Sequence, residues 1–385
     1  MNKKVVALIL FIVLFVVSVL LIVSRDNLTA EPQSYFEFFI FDNADKYKKA
    51  VEIRDFQFPE DFGSHPEFLT EWWYYTGNLL TPDQRHFGYQ LTFFRRAISG
   101  ESNELSQSNW ATNQIYLAHF AITDSANKSH YIADQISRGA NGLAGTITDP
   151  YFSIWLNHWE IQQISDSLFL MKAKDDDFEI NFVLEDQKGV IFHGESGLSQ
   201  KGEEIGNASY YFSQTRLKTN GQLRIKEDWF DVEGFSWMDH EFGTSTLGKN
   251  QVGWDWFSIQ LNNNSELMLF QIRNNDGTIS PFSSGTIITE TGDTINIKMD
   301  EFSIEVLDTW KNQEQVQYPS RWKIVLEPYN IELEIIPVIN DQEVKLFFQY
   351  WEGAVTVQGT VNGEAVSGYG YVELTGYAQS MEGVF

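Results

Sequence analysis

His65-Pro-Glu-Phe-Leu-Thr-Glu-Trp-Trp-Tyr-Tyr-Thr-Gly-Asn-Leu79 sets four consecutive aromatics directly behind a carboxylate, between a proline and a glycine. Successive side chains of a strand point to opposite faces, so Glu71, Trp73 and Tyr75 share one side and Trp72, Tyr74 and Thr76 the other. Both faces are amphipathic and aromatic, whereas an ordinary strand has one apolar and one wet side. A barrel wall accounts for this, if its inside both packs and meets a ligand. The face of Glu71, Trp73 and Tyr75 is the candidate ligand-binding face. The alternative is a well-buried strand whose polar tips find partners within the protein.

Working outward, short alternating runs such as 179–184, 258–261 and 343–350 recur between Gly, Asn and Asp turns, and stripes of helical period are scarce. This pattern predicts an all-β chain. At 385 residues two domains are expected. We place a connector at 25–54, a first domain at 55–235 and a second at 236–385. No repeat of short fixed period points to a propeller or solenoid.

Met1-Asn-Lys-Lys precedes Val5 to Val23, in which Ser18 is the one polar residue. Such a run is long enough to cross a bilayer as a helix, with Lys3 and Lys4 kept in the cytoplasm. Residues 1–24 are therefore read as a signal anchor, with the rest of the chain at the cell envelope, in the periplasm or an equivalent extracytoplasmic space. The other reading is a cleaved signal and a secreted protein. Its cleavage candidate, Leu28-Thr-Ala30, has a large residue where a small one is expected. Tyr35 to Phe41 reads as an added strand of the first barrel, or alternatively as a segment at the membrane interface.

Composition closes off other classes. The net charge is −26, and no Lys/Arg cluster offsets it, so nucleic acid is a poor partner. The chain has no cysteine, hence no disulfide, thiolate nucleophile or cysteine metal site. The seven histidines show no close ligand spacing, and no metal is expected. Asp175-Asp-Asp177 reads as a solvated turn, because three consecutive residues cannot encircle calcium. Nucleophile-elbow, zinc-protease, P-loop and dinucleotide motifs are all missing.

A carboxylate-and-aromatic chemistry is left. If Phe235 to Phe242 is a strand, Trp237, Asp239 and Glu241 share one face and Ser236, Met238 and His240 the other. Two carboxylates at i and i+2 beside an indole invite a split in pKa, one raised by burial and the other kept ionised by hydrogen bonds. The alternative has them facing solvent or paired with Arg95, Arg96 or Arg216. Trp254 and Trp256 share a face with Ser258 and Gln260, and either extend an aromatic wall around a ligand or belong to the core.

Five blocks in order resemble the CrtC/AttH family of carotenoid 1,2-hydratases (hydroxyneurosporene synthases) and secreted AttH-type proteins. They are 58–79, Asn207-Ala-Ser-Tyr-Tyr-Phe-Ser-Gln-Thr-Arg-Leu217, Gly234-Phe-Ser-Trp-Met-Asp-His-Glu-Phe-Gly-Thr244, Gly253-Trp-Asp-Trp-Phe-Ser-Ile-Gln-Leu261 and Gly368-Tyr-Gly-Tyr-Val-Glu-Leu-Thr-Gly-Tyr377. The resemblance implies two lipocalin-like antiparallel barrels. It also implies Asp239 as a proton donor, Trp237 lining a cation site, and Glu241 or His65 handling water; the correspondence is firmest at Asp239. Hydrating an isolated alkene needs an acid that protonates carbon and aromatic faces that stabilise the cation, so no cofactor is called for. Three functional readings follow. One is an exported, membrane-tethered protein binding an apolar lipid or isoprenoid-like molecule. The second is a cofactor-free hydratase, and the third an accessory of an envelope ABC-transporter system.

Overall fold

The computed structural model describes residues 44–98, 108–245, 247–346 and 349–382. The expected anchor and the expected strand at 35–41 lie outside the described residues. Among those described, no helix is long and apolar enough to cross a membrane, and helix is confined to four three-residue turns.

The chain is all-β: thirteen strands and then ten form two curled, barrel-like sheets. In the first sheet, the aromatic strand Thr70–Leu80 lies between His86–Ala97 and Asp228–Gly243, antiparallel to both. Its register sets Trp72 opposite Glu241 and Tyr74 opposite Asp239, so two sequence blocks far apart in the chain become neighbours. In the second sheet, Gln251–Leu261 lies between Glu266–Asn274 and Glu364–Leu374. The chain changes sheets between Gly243 and Gln251, and the expected boundary at 235/236 falls inside the Asp228–Gly243 strand. Gly234 keeps that strand continuous, since a Cβ there would lie 2.1 Å from the Asn78 carbonyl oxygen.

Alternation explains the two-sided aromatic strand. Trp73 and Tyr75 enter the core of the first barrel beside Phe93, Phe120 and Met238. Trp72, Tyr74 and Asn78 turn the other way, toward the second sheet. Tyr74 OH donates to Glu352 Oε2, its ring meets Trp256 edge-on at 5.1 Å, and Asn78 Nδ2 donates to the Gly370 carbonyl at 2.9 Å. The second sheet divides its residues the same way. Phe257 and Ile259 fill its own core with Trp322 and Trp351, while Gln260 reaches back to the carbonyls of Thr215 and Ser236. Each barrel thus has an apolar interior, and between the sheets lies a buried layer rich in polar and aromatic groups. Many of those polar groups are held by hydrogen bonds, without which burying them would cost about 1–3 kcal/mol apiece. Glu352 is fully buried there; burial, helped by the charge of Glu373, pushes its carboxyl well above the ordinary range.

Gly88 lets the sheets approach closely, because a Cβ there would lie 2.4 Å from Ala354 Cβ. Gly88→Ala is expected to wedge the sheets apart and to cost about 1–3 kcal/mol. Urea denaturation of the full-length protein reads this as a lowered midpoint; an unchanged midpoint would show that the sheets yield there freely.

Candidate active site

Where the two sheets part, they leave a cavity between them. Its walls are largely aromatic and apolar, with Trp72, Tyr74, Phe94, Trp254, Trp256 and Phe270 among them, and it takes in Asp239, Glu241, Lys201, Tyr211 and Glu373. The centre of a water molecule can occupy about 70 Å³ of it. At roughly 10–15 Å³ for one water on that measure, this is room for a small ring or a single isoprenoid unit. A roomier cleft of about 840 Å³ lies between 194–200 and 281–300, but its ionisable groups, Glu195, Lys298 and Asp300, are solvent-exposed.

Asp239 is the most elaborately held group in the cavity. Trp237 Nε1 donates to its Oδ1 at 2.5 Å, Ser213 Oγ donates to the same oxygen, and Tyr211 OH donates to Oδ2 at 2.6 Å. The donors are themselves held. Trp256 Nε1 donates to Tyr211 OH at 3.0 Å, and His193 Nε2 lies 2.6 Å from Ser213 Oγ. Because Ser213 gives its proton to Asp239, it accepts from His193, which is therefore protonated at Nε2 and accepts at Nδ1 from Thr286. Burial keeps His193 neutral by pulling its pKa down to about 3. Burial also pushes the Asp239 carboxyl up to about 7, against its three hydrogen bonds and with help from the Glu241 charge.

Glu241, two residues along the same face, has a different environment. Ser209 Oγ donates to it and Lys201 Nζ lies 3.4 Å away. Lys201 is buried, with its ammonium 3.7 Å from the centre of the Phe270 ring. Burial lowers its pKa, while Glu241 and Asp239 hold it up. The arginines considered as partners are engaged elsewhere, Arg95 with Glu71 and Arg216 with Glu266. From the second sheet, Glu373 accepts from Trp254 Nε1 at 2.7 Å. Burial, reinforced by the charges of Glu241 and Asp239, moves its carboxyl to about 8.

The structure therefore brings together Asp239, Glu241, Trp254 and Trp256 at the cavity, with Trp237 clamping Asp239 from the same strand. It places Glu71, Trp73, Tyr75 and His65 elsewhere. Trp73 and Tyr75 belong to the apolar interior of the first barrel and Glu71 and His65 to a buried ionic cluster, and the aromatic strand presents Trp72 and Tyr74 to the cavity instead. Sequence reasoning passed over Lys201, Tyr211 and Glu373. Tyr211 and Glu373 lie in two of the five blocks, whereas Lys201 follows the short strand Leu198–Gln200 with no local signal.

His65 and Glu71 form a separate cluster. His65 Nδ1 lies 2.6 Å from Glu71 Oε1 and its Nε2 lies 2.8 Å from Asp61 Oδ1. Arg95 Nε donates to Glu71 Oε2 at 2.7 Å, Arg54 pairs with Asp61, and His240 Nε2 lies 2.9 Å from Glu71 Oε1. Burial alone would lower the pKa of His65, but Glu71 and Asp61 outweigh it and raise the value. Burial would raise that of Glu71, but Arg95 and His65 hold it well below the carboxylate range. Among the described residues, His65, Glu71 and His240 are the one grouping whose ligand atoms converge as a metal site would require. Two guanidiniums and an imidazolium already face the cluster's two carboxylates, one positive charge in excess, so a divalent cation would add further charge beside Arg95 and Arg54. We read the cluster as an ionic latch. It fastens the segment before the aromatic strand over the first barrel, where His65 also stacks on Phe242 at 3.6 Å.

A family model described as AttH-like matches residues 49–377. A kievitone hydratase from Fusarium solani subsp. phaseoli is 26% identical over an alignment of 220 residues that covers 52% of this chain and 58% of that enzyme's length. Among solved structures, an AttH-type protein of Nitrosomonas europaea superposes with a TM-score of 0.75 at 32% identity, covering 86% of this chain and 99% of that one. A kievitone hydratase from Nectria haematococca shares the fold, with a TM-score of 0.64 at 16% identity and coverage of 87% and 97%. With the match running from before the aromatic strand to Tyr377, the chain belongs to the AttH-like family.

Proposed function

We propose that the cavity between the sheets binds the unsaturated end of an apolar small molecule, and that Asp239 moves a proton in adding water to its double bond or removing it. The observation that carries this is a buried carboxyl held by three donors inside an aromatic cavity, where burial pushes its pKa up to about 7. A carboxyl at about 7 gives or takes a proton equally well at physiological pH, the condition for efficient general acid–base catalysis. The surrounding rings can stabilise a carbocation through their quadrupoles. The kinship with a hydratase supports the same reading.

The test uses full-length protein extracted in detergent. Co-purifying apolar compounds are identified by mass spectrometry, and the protein is then incubated with them in heavy-oxygen water. Incorporation of the label into an unsaturated compound is the expected result. Binding without incorporation would leave a carrier, and no bound apolar compound at all would retire the cavity as a ligand site.

We also propose that residues 5–23 tether the protein to the membrane with its barrels outside the cytoplasm; the apolar run behind two lysines supports this. Protease added to spheroplasts is expected to digest the barrels. Protection until lysis would contradict it.

A further inference from the structure

We propose that Glu373, on the opposite wall of the cavity, is a second catalytic carboxyl that exchanges a proton with the ligand Asp239 serves; this rests on the acid–base reading of the cavity.

Placement comes first. Asp239 stands on the Asp228–Gly243 strand of the first sheet and Glu373 on the Glu364–Leu374 strand of the second, and both line the same cavity. A ligand lodged between the sheets therefore has one carboxyl on each side. Partners come second. Glu373 has one side-chain hydrogen bond, from Trp254 to Oε2, and its Oε1 has no hydrogen-bond partner among the described residues. The residue is only half-buried, and its open edge faces the cavity. The other carboxyls nearby are committed, Glu241 to Ser209 and Lys201, and Glu352 to Tyr74.

The chemistry requires such a pair. In hydration, an acid O–H bond breaks as the π electrons form a C–H bond, which leaves a carbocation. A lone pair of water then forms the C–O bond, and the proton that water sheds goes to the second group, now a carboxylate acceptor. One water is added, and the proton returns from acceptor to donor through solvent, with no oxidant or reductant involved. Three donors favour the anion of Asp239 and only one that of Glu373, so Glu373 donates in hydration and Asp239 accepts. The ordering of about 8 for Glu373 over about 7 for Asp239 agrees. The ionisable groups facing Glu373 are Tyr74, Asp239, Glu241, Lys201 and Tyr211 from the first sheet side and Glu352 and Tyr350 from the adjoining strand.

A probe pair tests this without knowledge of the natural ligand. N,N-dimethylisopentylamine, a saturated tertiary amine of one isoprenoid unit, carries an ammonium that mimics the carbocation, and the uncharged hydrocarbon of the same shape does not. Both are titrated into detergent-solubilised full-length protein between about pH 6 and 9, where the carboxyls ionise and the amine stays protonated. The amine is expected to bind more tightly as pH rises. Glu373→Gln should weaken it by about tenfold at the high end, the equivalent of one charge-assisted hydrogen bond, with hydrocarbon affinity unchanged. Trp254→Phe, which removes the one donor to Glu373, should move the rise to higher pH. If the hydrocarbon binds while Glu373→Gln and Trp254→Phe leave the amine profile unaltered, Glu373 has no such role and the cavity reading stands. If neither probe binds, the cavity reading fails and this assignment falls with it.

Discussion

Asp239→Asn should lower turnover by about 10²–10⁴-fold, the usual contribution of a general acid or base, while the fold persists. Asn keeps the shape, and its oxygen can still accept from Trp237 and Ser213. Its amide would face Tyr211, whose hydroxyl can turn to accept. Stability supplies an independent signature. Burial lifts Asp239 to about 7 in the folded chain against 3.8 for an ordinary aspartate, so the folded state holds the proton more tightly. That contribution is full below 3.8 and is lost as pH rises toward about 7. The Asn variant lacks this downward slope, and its stability relative to wild type should improve between those limits. Heavy-oxygen incorporation and urea midpoints across that range measure the two effects. Undiminished turnover would remove Asp239 from the mechanism, and a variant that does not fold would make it a structural group.

Glu71→Gln is expected to cost about 3–5 kcal/mol, the penalty for removing one partner of a buried ion pair. Arg95 is 1% exposed, and the substitution strips it of its counter-ion while His65 loses one of its two carboxylates. Because Glu71 is depressed below 4.5, its contribution is complete above that value and fades as pH falls through the folded pKa. His65 is raised, so its contribution is complete below 6.5 and fades as pH rises through the folded pKa. The difference between wild type and variant should therefore peak between 4.5 and 6.5. Denaturant titrations of full-length protein at several pH values test this. A loss under about 1 kcal/mol with no pH dependence would mean that the latch is redundant.

The two variants also separate roles that the primary structure leaves entangled. Glu71 and Asp239 each stand in an aromatic block, and each reads as a functional carboxylate on a barrel strand. One is held ionised by a guanidinium and an imidazolium; the other is held near neutrality by burial with no cation in hydrogen-bond contact. Nothing in Thr-Glu-Trp-Trp or Trp-Met-Asp-His tells these environments apart, since both cations reach Glu71 through folding of the 61–68 segment and the neighbouring strand.

Alternation along single strands was legible in the sequence alone. It determined the all-β class, the shared face of Trp237, Asp239 and Glu241, and the two opposed faces of the aromatic strand, because the two-residue period of a strand is a local property of the backbone. Which face of that strand meets a ligand was decided by the tertiary structure. The second sheet packs on the side of Trp72 and Tyr74, and so it closed the cavity there and left Trp73 and Tyr75 to the first barrel's core and Glu71 to the ionic cluster. Lys201, Tyr211 and Glu373 likewise reach Asp239 only through strand pairing and sheet packing across long stretches of chain. Their role depends on a low-dielectric enclosure that no local pattern records, for burial and charge proximity arise only once the two sheets meet.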